Sequence, residues 1–277
     1  LKLLVKLRDP RIILKKKEIK LTKLNLLLSL KSFYTSDFIL KKTIIGFEKN
    51  DIKDLTKITN FYFPRFINKQ VKRVFEKGSL DGEFIIPFNS DGSISKKYTF
   101  YGAINNANLK FPDDYRIKNL TAKIGYGRSV DTDFDGLRIT INNGSILNLK
   151  LSESIIDIKF NENYKKIKTT LHTKGNLNFF EIKKISSLLG FKIKKFQDVN
   201  LQSNLITKIE FDINNKFRVK NEKYSSKGNI EKLEFKINKR DFLKNFFPFF
   251  KKNIVIKDTK VVFSSNTKTE SFELDGK

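Results

Sequence analysis

From Val199 to Ile213 the chain reads VNLQSNLITKIEFDI. In an extended backbone, Val199, Leu201, Ser203, Leu205, Thr207, Ile209, Phe211 and Ile213 point one way, and six of these eight are apolar. Asn200, Gln202, Asn204, Ile206, Lys208, Glu210 and Asp212 point the other way, and all but Ile206 are polar. Period-two alternation marks a strand with one face withdrawn from water. A run of this length spans roughly 50 Å, long for a compact domain, so a bulge or break is expected inside it.

Shorter segments on either side repeat the pattern. Leu24, Leu26, Leu28 and Leu30 alternate, followed by Phe38, Leu40, Ile44 and Gly46. Leu120, Ala122, Ile124 and Tyr126 come next, then Leu137, Ile139 and Ile141, and Leu147, Leu149 and Leu151. Ile156, Ile158 and Phe160 follow, and later Leu233, Phe235 and Ile237. Asp91-Gly92 and Asn143-Gly144 have the composition of hairpin turns. The reading is a mainly β protein built on antiparallel strands.

Few segments have helical spacing. Ile67, Val71, Val74 and Phe75 form a stripe that Gly78 would stop. Phe179, Ile182, Ile185, Leu188 and Leu189 form a second, with Asn178 as N-cap and Gly190 as stop. Asp241–Lys251 is a third candidate, kinked or ended by Pro248, and Asp51–Ile58 has room for one or two turns.

Tyr98–Phe111 aligns without gaps on Tyr224–Ile237, matching Tyr98/Tyr224, Gly102/Gly228, Ile104/Ile230 and Lys110/Lys236. Such repetition implies a sheet that grows by adding units along one axis. One-faced strands need a second layer or must curl around something apolar, and three or four short helices are a thin cover. The expected architecture is therefore an elongated, curved antiparallel sheet, a groove with a few short peripheral helices.

The 277 residues are 39% hydrophobic and 31% charged, with a formal net charge of +26. Lys, Ile, Phe, Asn and Tyr make up half of the chain, and all five have AT-rich codons. Genome bias thus accounts for much of the lysine excess, although a basic surface still attracts anions. There is no Cys, which excludes disulfides and Cys-ligated metal or haem, and one His, which excludes most triads. The chain has no Met and opens Leu1-Lys2-Leu3, and it reads as an internal piece of a longer protein.

Catalytic chemistry finds little support. Asp131-Thr-Asp133-Phe-Asp135-Gly136 has the opening spacing of a calcium loop, but Asn142 stands where the closing Glu belongs. These three Asp are a weak metal candidate, with a solvated acidic loop as the alternative. His172 falls on the polar side of Ile167, Thr169, Leu171 and Thr173. No phosphate loop, nucleophile elbow or zinc motif occurs, so neither an enzyme nor a bound cofactor is expected. The lysines are scattered and the Phe fall on apolar faces, which argues against nucleic acid.

The apolar faces themselves are the functional candidates. Leu120, Ile124, Leu137, Ile139, Ile141, Leu147, Leu149, Leu201, Leu205, Ile209 and Phe211 would contact acyl chains in a groove. Phe246, Phe247, Phe249 and Phe250 beside Lys251 and Lys252 would suit a membrane interface, rings at headgroup level and ammoniums on phosphates. The alternative is a helix that packs those Phe on the sheet.

Residues 61 to 160 carry a family resemblance. Phe61-Tyr62-Phe63-Pro64, a basic stretch through Arg73, Gly78-Ser-Leu80 and Phe84-Ile-Ile-Pro87 resemble the YhdP-type region of AsmA-like proteins. Tyr101-Gly102 through Phe111-Pro112, then Ile117–Ile124, Leu137-Arg-Ile139 and Gly144-Ser-Ile146 continue it in order. Tyr62 and Val74 stand where the family usually has Trp. The resemblance implies a core region at 61–160 between looser strand repeats at 1–60 and 161–277. It further implies a bacterial envelope protein with an inner-membrane helix and a periplasmic β-groove. Such proteins are similar to TamB and chorein-type bridges that carry phospholipid between membranes and serve outer-membrane biogenesis. Partners would be acyl chains, the membrane surface and other envelope proteins. A non-enzymatic envelope scaffold with a self-filled core is the competing reading.

Overall fold

The computed structural model describes residues 2–8, 10–14, 17–29, 39–59, 73–95, 97–111, 114–128, 135–188, 196–216, 218–237, 253–266 and 269–275. The chain is mainly β. Its strands are β1 (Lys2–Leu7), β2 (Arg11–Leu14), β3 (Lys17–Ser29), β4 (Leu40–Asp51), β5 (Phe75–Pro87), β6 (Thr99–Lys110) and β7 (Arg116–Arg128). They continue as β8 (Asp135–Ile146), β9 (Leu149–Phe160), β10 (Tyr164–Leu177), β11 (Phe196–Asn214), β12 (Val219–Ile237), β13 (Asn253–Asn266) and β14 (Glu270–Asp275). All belong to one hydrogen-bonded sheet whose order follows the chain from β3 to β14, with β1 and β2 both paired to β3. The described helices are α1 (Ile52–Thr59) and α2 (Phe179–Leu188). Two compact units result, Leu1–Gly144 with Ile156–Glu162, and Ser145–Ile155 with Asn163–Lys277.

In the first unit β1 and β2 behave as one strand. Lys2↔Ser29 through Leu7↔Leu24 and Arg11↔Lys20 through Leu14↔Lys17 share a single register against β3. Between them the Pro10 carbonyl accepts the Leu21 N–H at 3.2 Å. Proline has no N–H to give, so the edge strand is interrupted there while the ladder persists through its carbonyl. Helix α1 starts at Asp51, whose carboxylate accepts the Lys53 and Asp54 N–H groups at 2.7 and 3.2 Å.

The interior of this unit is aromatic. Leu21, Phe47 and Phe100 are buried, and Leu24, Ile45, Leu55, Leu80, Phe84, Ile124 and Tyr126 pack around them. Phe84 lies 4.5 Å from Phe100, centroid to centroid, and Phe47 stacks on Phe100 at 6.2 Å. Gly82 and Gly102 are directly paired, and the Phe100 ring covers both. A side chain at either glycine would exclude that ring.

Two sequence expectations change here. Gly78 does not stop a helix: Phe75–Pro87 is strand, and Gly78 lies within it at φ 138°. A Cβ there would sit 2.6 Å from Ala107 Cβ, so close backbone approach, rather than helix termination, selects the glycine. Asn143-Gly144 is not a turn either, since β8 runs on to Ile146 and the chain reverses at Leu147-Asn148. Gly144 is buried against Ile117 and Leu120 and serves packing. Asp91-Gly92 does form its turn, closed by Asn89 N–H to the Ser93 carbonyl at 2.9 Å.

The second unit contains the Val199–Ile213 stretch. β11 is 19 residues long and pairs with β10 without interruption from Tyr164↔Asn214 to Leu177↔Leu201. Against β12 its register shifts three times, between Gln197 and Asn200, Gln202 and Ser203, and Glu210 and Asp212. Helix α2 opens with a capping box: Glu181 N–H to Asn178 Oδ1 at 3.1 Å and Asn178 N–H to Glu181 Oε2 at 2.9 Å. Gly190 and the segment Asp241–Lys251 lie outside the described residues.

A recurrent device keeps long strands one-faced. Lys49, Asn106, Asn119, Glu153, Asp198, Asn221 and Asp258 each sit inside a strand at φ between 47° and 56°. Register shifts mark Lys49, Asn106, Asn119, Asp198 and Asn221 as extra residues, and at Glu153 and Asp258 too the parity that faces inward reverses. In β6, Phe100 and Ile104 are buried before Asn106, and Ala107 and Leu109 after it. In β9, Leu149 and Leu151 precede Glu153 and buried Ser154 follows.

Candidate functional site

The apolar face of β11 is a partly open candidate surface among the described residues. Register places Leu177, Gly175, Thr173, Leu171, Thr169 and Ile167 of β10 beside Leu201 to Phe211. On the other flank stand Leu233, Ile230, Gly228, Ser226 and Tyr224 of β12. Burial grades along the strand. Leu177, Val199 and Ser203 are buried at the end adjoining α2, whereas Leu205, Thr207, Ile209 and Phe211 are half-buried.

Several polar groups on this face are already engaged. Thr207 and Ser226 hydroxyls bond at 3.0 Å, and Thr173 Oγ1 donates to the Leu205 carbonyl at 3.4 Å. Tyr224 donates to Glu222 at 3.4 Å, and burial, ahead of the neighbouring carboxylate, pushes its phenol above the usual tyrosine range. The fully buried Ser154 hydroxyl accepts the His172 N–H at 2.9 Å and donates to the Ser152 carbonyl at 3.0 Å. With Thr207, Ser226 and Thr173 engaged, Thr169 beside Ile209 is the hydroxyl of the half-exposed stretch without a partner among the described residues, and the rest of the row offers a ligand chiefly hydrocarbon. The serine and threonine pairs escaped sequence reading because cross-strand register has no signature in one strand.

The remaining lining candidates divide by place. Leu149 is 8% exposed in β9, and Leu147 lies in the turn before it at φ 54°. In the first unit, Leu120 and Ile141 are each 4% exposed, and Ile124 packs on the Leu21–Phe47–Phe100 cluster. Leu137 and Ile139 are half-buried in β8. Beside them Arg138 forms a two-pronged ion pair with Asp157, at 2.7 and 2.8 Å, which raises the guanidinium above its ordinary value. Around Leu120, Ile124 and Ile141 the chain fills its own apolar face, whereas Leu137 and Ile139 are half-buried like Leu205 and Ile209.

Asp131, Asp133, Phe246, Phe247, Phe249, Phe250, Lys251 and Lys252 lie outside the described residues, as does the side chain of Asp135. Among the described residues no three His, Asp or Glu side chains converge as a metal site. His172 is half-buried on the polar side of β10, opposite Ile206. The opposite face of β11 is ionic: Glu210 bonds Lys166 at 2.7 Å and Lys168 at 3.3 Å. The Lys166 contact chiefly holds the Glu210 carboxyl below its usual range and Lys166 above its own.

No family model, curated protein or solved structure matches the chain. No described helix is long and apolar enough to cross a membrane.

Proposed function

We propose that the chain is a β-groove segment of an AsmA-like, inner-membrane-anchored envelope protein, and that it binds acyl chains in the periplasm and helps move phospholipid between the two bacterial membranes. The observation that carries this reading is the half-buried row Leu205, Ile209 and Phe211, beside which the Thr173, Thr207 and Ser226 hydroxyls already have partners. Each acyl CH₂ withdrawn from water contributes ~0.8 kcal/mol, so such a row holds a chain without a dedicated polar anchor. The long one-faced strands and the resemblance at residues 61–160 support the same reading. The role is non-enzymatic.

One observation favours a second reading, a scaffold with a self-filled core. The first unit's apolar face is occupied by Phe47, Phe84 and Phe100, with Leu55 of α1 packed against them. Titration of a phospholipid bearing a fluorescent acyl chain separates the readings. Acyl binding predicts saturable enhancement that falls at least tenfold in affinity on Ile209→Glu with the fold retained. No saturable signal from the intact chain would leave the scaffold.

A further inference from the structure

The face of β10 to β13 opposite the apolar one is polar and basic. Lys208, Lys220, Lys223, Lys227, Lys257 and Lys260 are all exposed there, and among the described residues their side chains have no ion-pair or hydrogen-bond partner. Of the carboxylates on this face, Glu210 is paired with Lys166 and Lys168, Glu231 with Lys174, and Glu234 with Lys232. Asp212 accepts from the neutral Asn221 amide, and Glu273 and Asp275 of β14 stand across from Val262 and Lys260. The lysines of the face still outnumber its carboxylates, which leaves a net positive field.

Their setting narrows the partner. Lys227 and Lys260 flank a shallow depression whose walls are Asn204, Asn229, Ile206 and Val262. Val262 and Val255 are 49% and 50% exposed on the same face. Among its described residues the centre of this face presents no Phe or Tyr ring on which a base could stack, and every unpaired cation named above is Lys rather than Arg. Lysines interspersed with small apolar side chains match an anionic lipid surface, where ammoniums meet phosphates and valines meet the headgroup boundary.

We infer that this lysine face of β10–β13 docks on an anionic bilayer surface, centred on Lys208, Lys227 and Lys260. The inference is independent of acyl-chain binding, because it uses the opposite side of the same strands. The full chain is to be sedimented with equimolar phosphatidylcholine–phosphatidylglycerol vesicles and with phosphatidylcholine alone. Binding to the first only, weakening with salt, is the expected result. Lys208→Gln/Lys227→Gln/Lys260→Gln should lower partitioning about a hundredfold. A control triple at the paired lysines Lys166, Lys168 and Lys174 should lower it less. Circular dichroism and fluorescent acyl-chain titration of each variant verify that the fold and the apolar face are intact. Equal binding by both triples, no preference for phosphatidylglycerol, or tighter binding to an oligonucleotide than to vesicles would overturn the inference.

Discussion

Phe47 and Phe100 stack at 6.2 Å and 10°, although β5 runs between the strands that carry them. The contact exists because Gly82, the β5 residue paired with Phe47 on one side and Gly102 on the other, has no side chain. Phe100 lies down over both glycines, where a Cβ would come within 2.6 Å of the ring at Gly82 and 2.5 Å at Gly102.

Gly102→Ala should therefore destabilise the first unit by ~1–3 kcal/mol, the range for overpacking a filled interior. The new methyl would meet not only the ring but also the Asp81 carbonyl oxygen at 2.6 Å, which has little freedom to move. Gly125→Ala is the matched control, since the nearest atom there is 3.9 Å away. It should be neutral or stabilising by ~0.4–1 kcal/mol. Urea unfolding followed by tyrosine fluorescence reads both; equal effects at the two glycines would refute the stacking account.

Asn106 sits at φ 48° as the extra residue of β6. Asn106→Gly should leave stability within a few tenths of a kcal/mol, and Asn106→Ile should cost ~1–3 kcal/mol, since branched side chains resist this conformation. Deleting Asn106 should be worse than either, because Ala107 and Leu109 would turn to the opposite face. Thermal unfolding of the three variants gives the order directly.

The Glu210–Lys166 pair predicts the sign of one pH effect. Glu210 is held below the ordinary glutamate range, so its contribution is full above that range and is lost as pH falls through the lowered value. Lys166 is raised, so its contribution is full below the ordinary lysine range and fades as pH rises through the raised value. The pair is partly exposed, which limits the effect to below ~1 kcal/mol. Glu210→Gln should flatten the acid limb of stability against pH, measured as urea midpoints. An unaltered acid limb would show that the pair contributes nothing there.

The legible parts of the fold were those written in local periodicity. The alternation at Val199–Ile213 became β11, Asn178 became the cap of α2, and the turns expected at Asp51–Ile58 became α1. Extra residues such as Asn106 and Asn119 were hidden, because a bulge looks like a lapse in alternation until the partner strand is known. Asn143-Gly144 misled because turn-forming residues also serve where space is short, and Gly144 lies under Leu120. Of the candidate surface, Leu205, Ile209 and Phe211 could be assigned a face from sequence. Their half-burial, against the near-complete burial of Leu120 and Ile141, depends on tertiary packing that periodicity does not encode.

Photo-crosslinking from the apolar face of β11 reads acyl-chain contact at that face directly. A photoreactive side chain is placed at Leu205 or Ile209, and at Gln202 on the opposite face as control, with phospholipid supplied as monomers rather than vesicles. The account predicts lipid adducts from Leu205 and Ile209 and none from Gln202. Absence of adducts from both apolar positions, with the fold intact, would contradict acyl-chain binding and leave the face to a structural role.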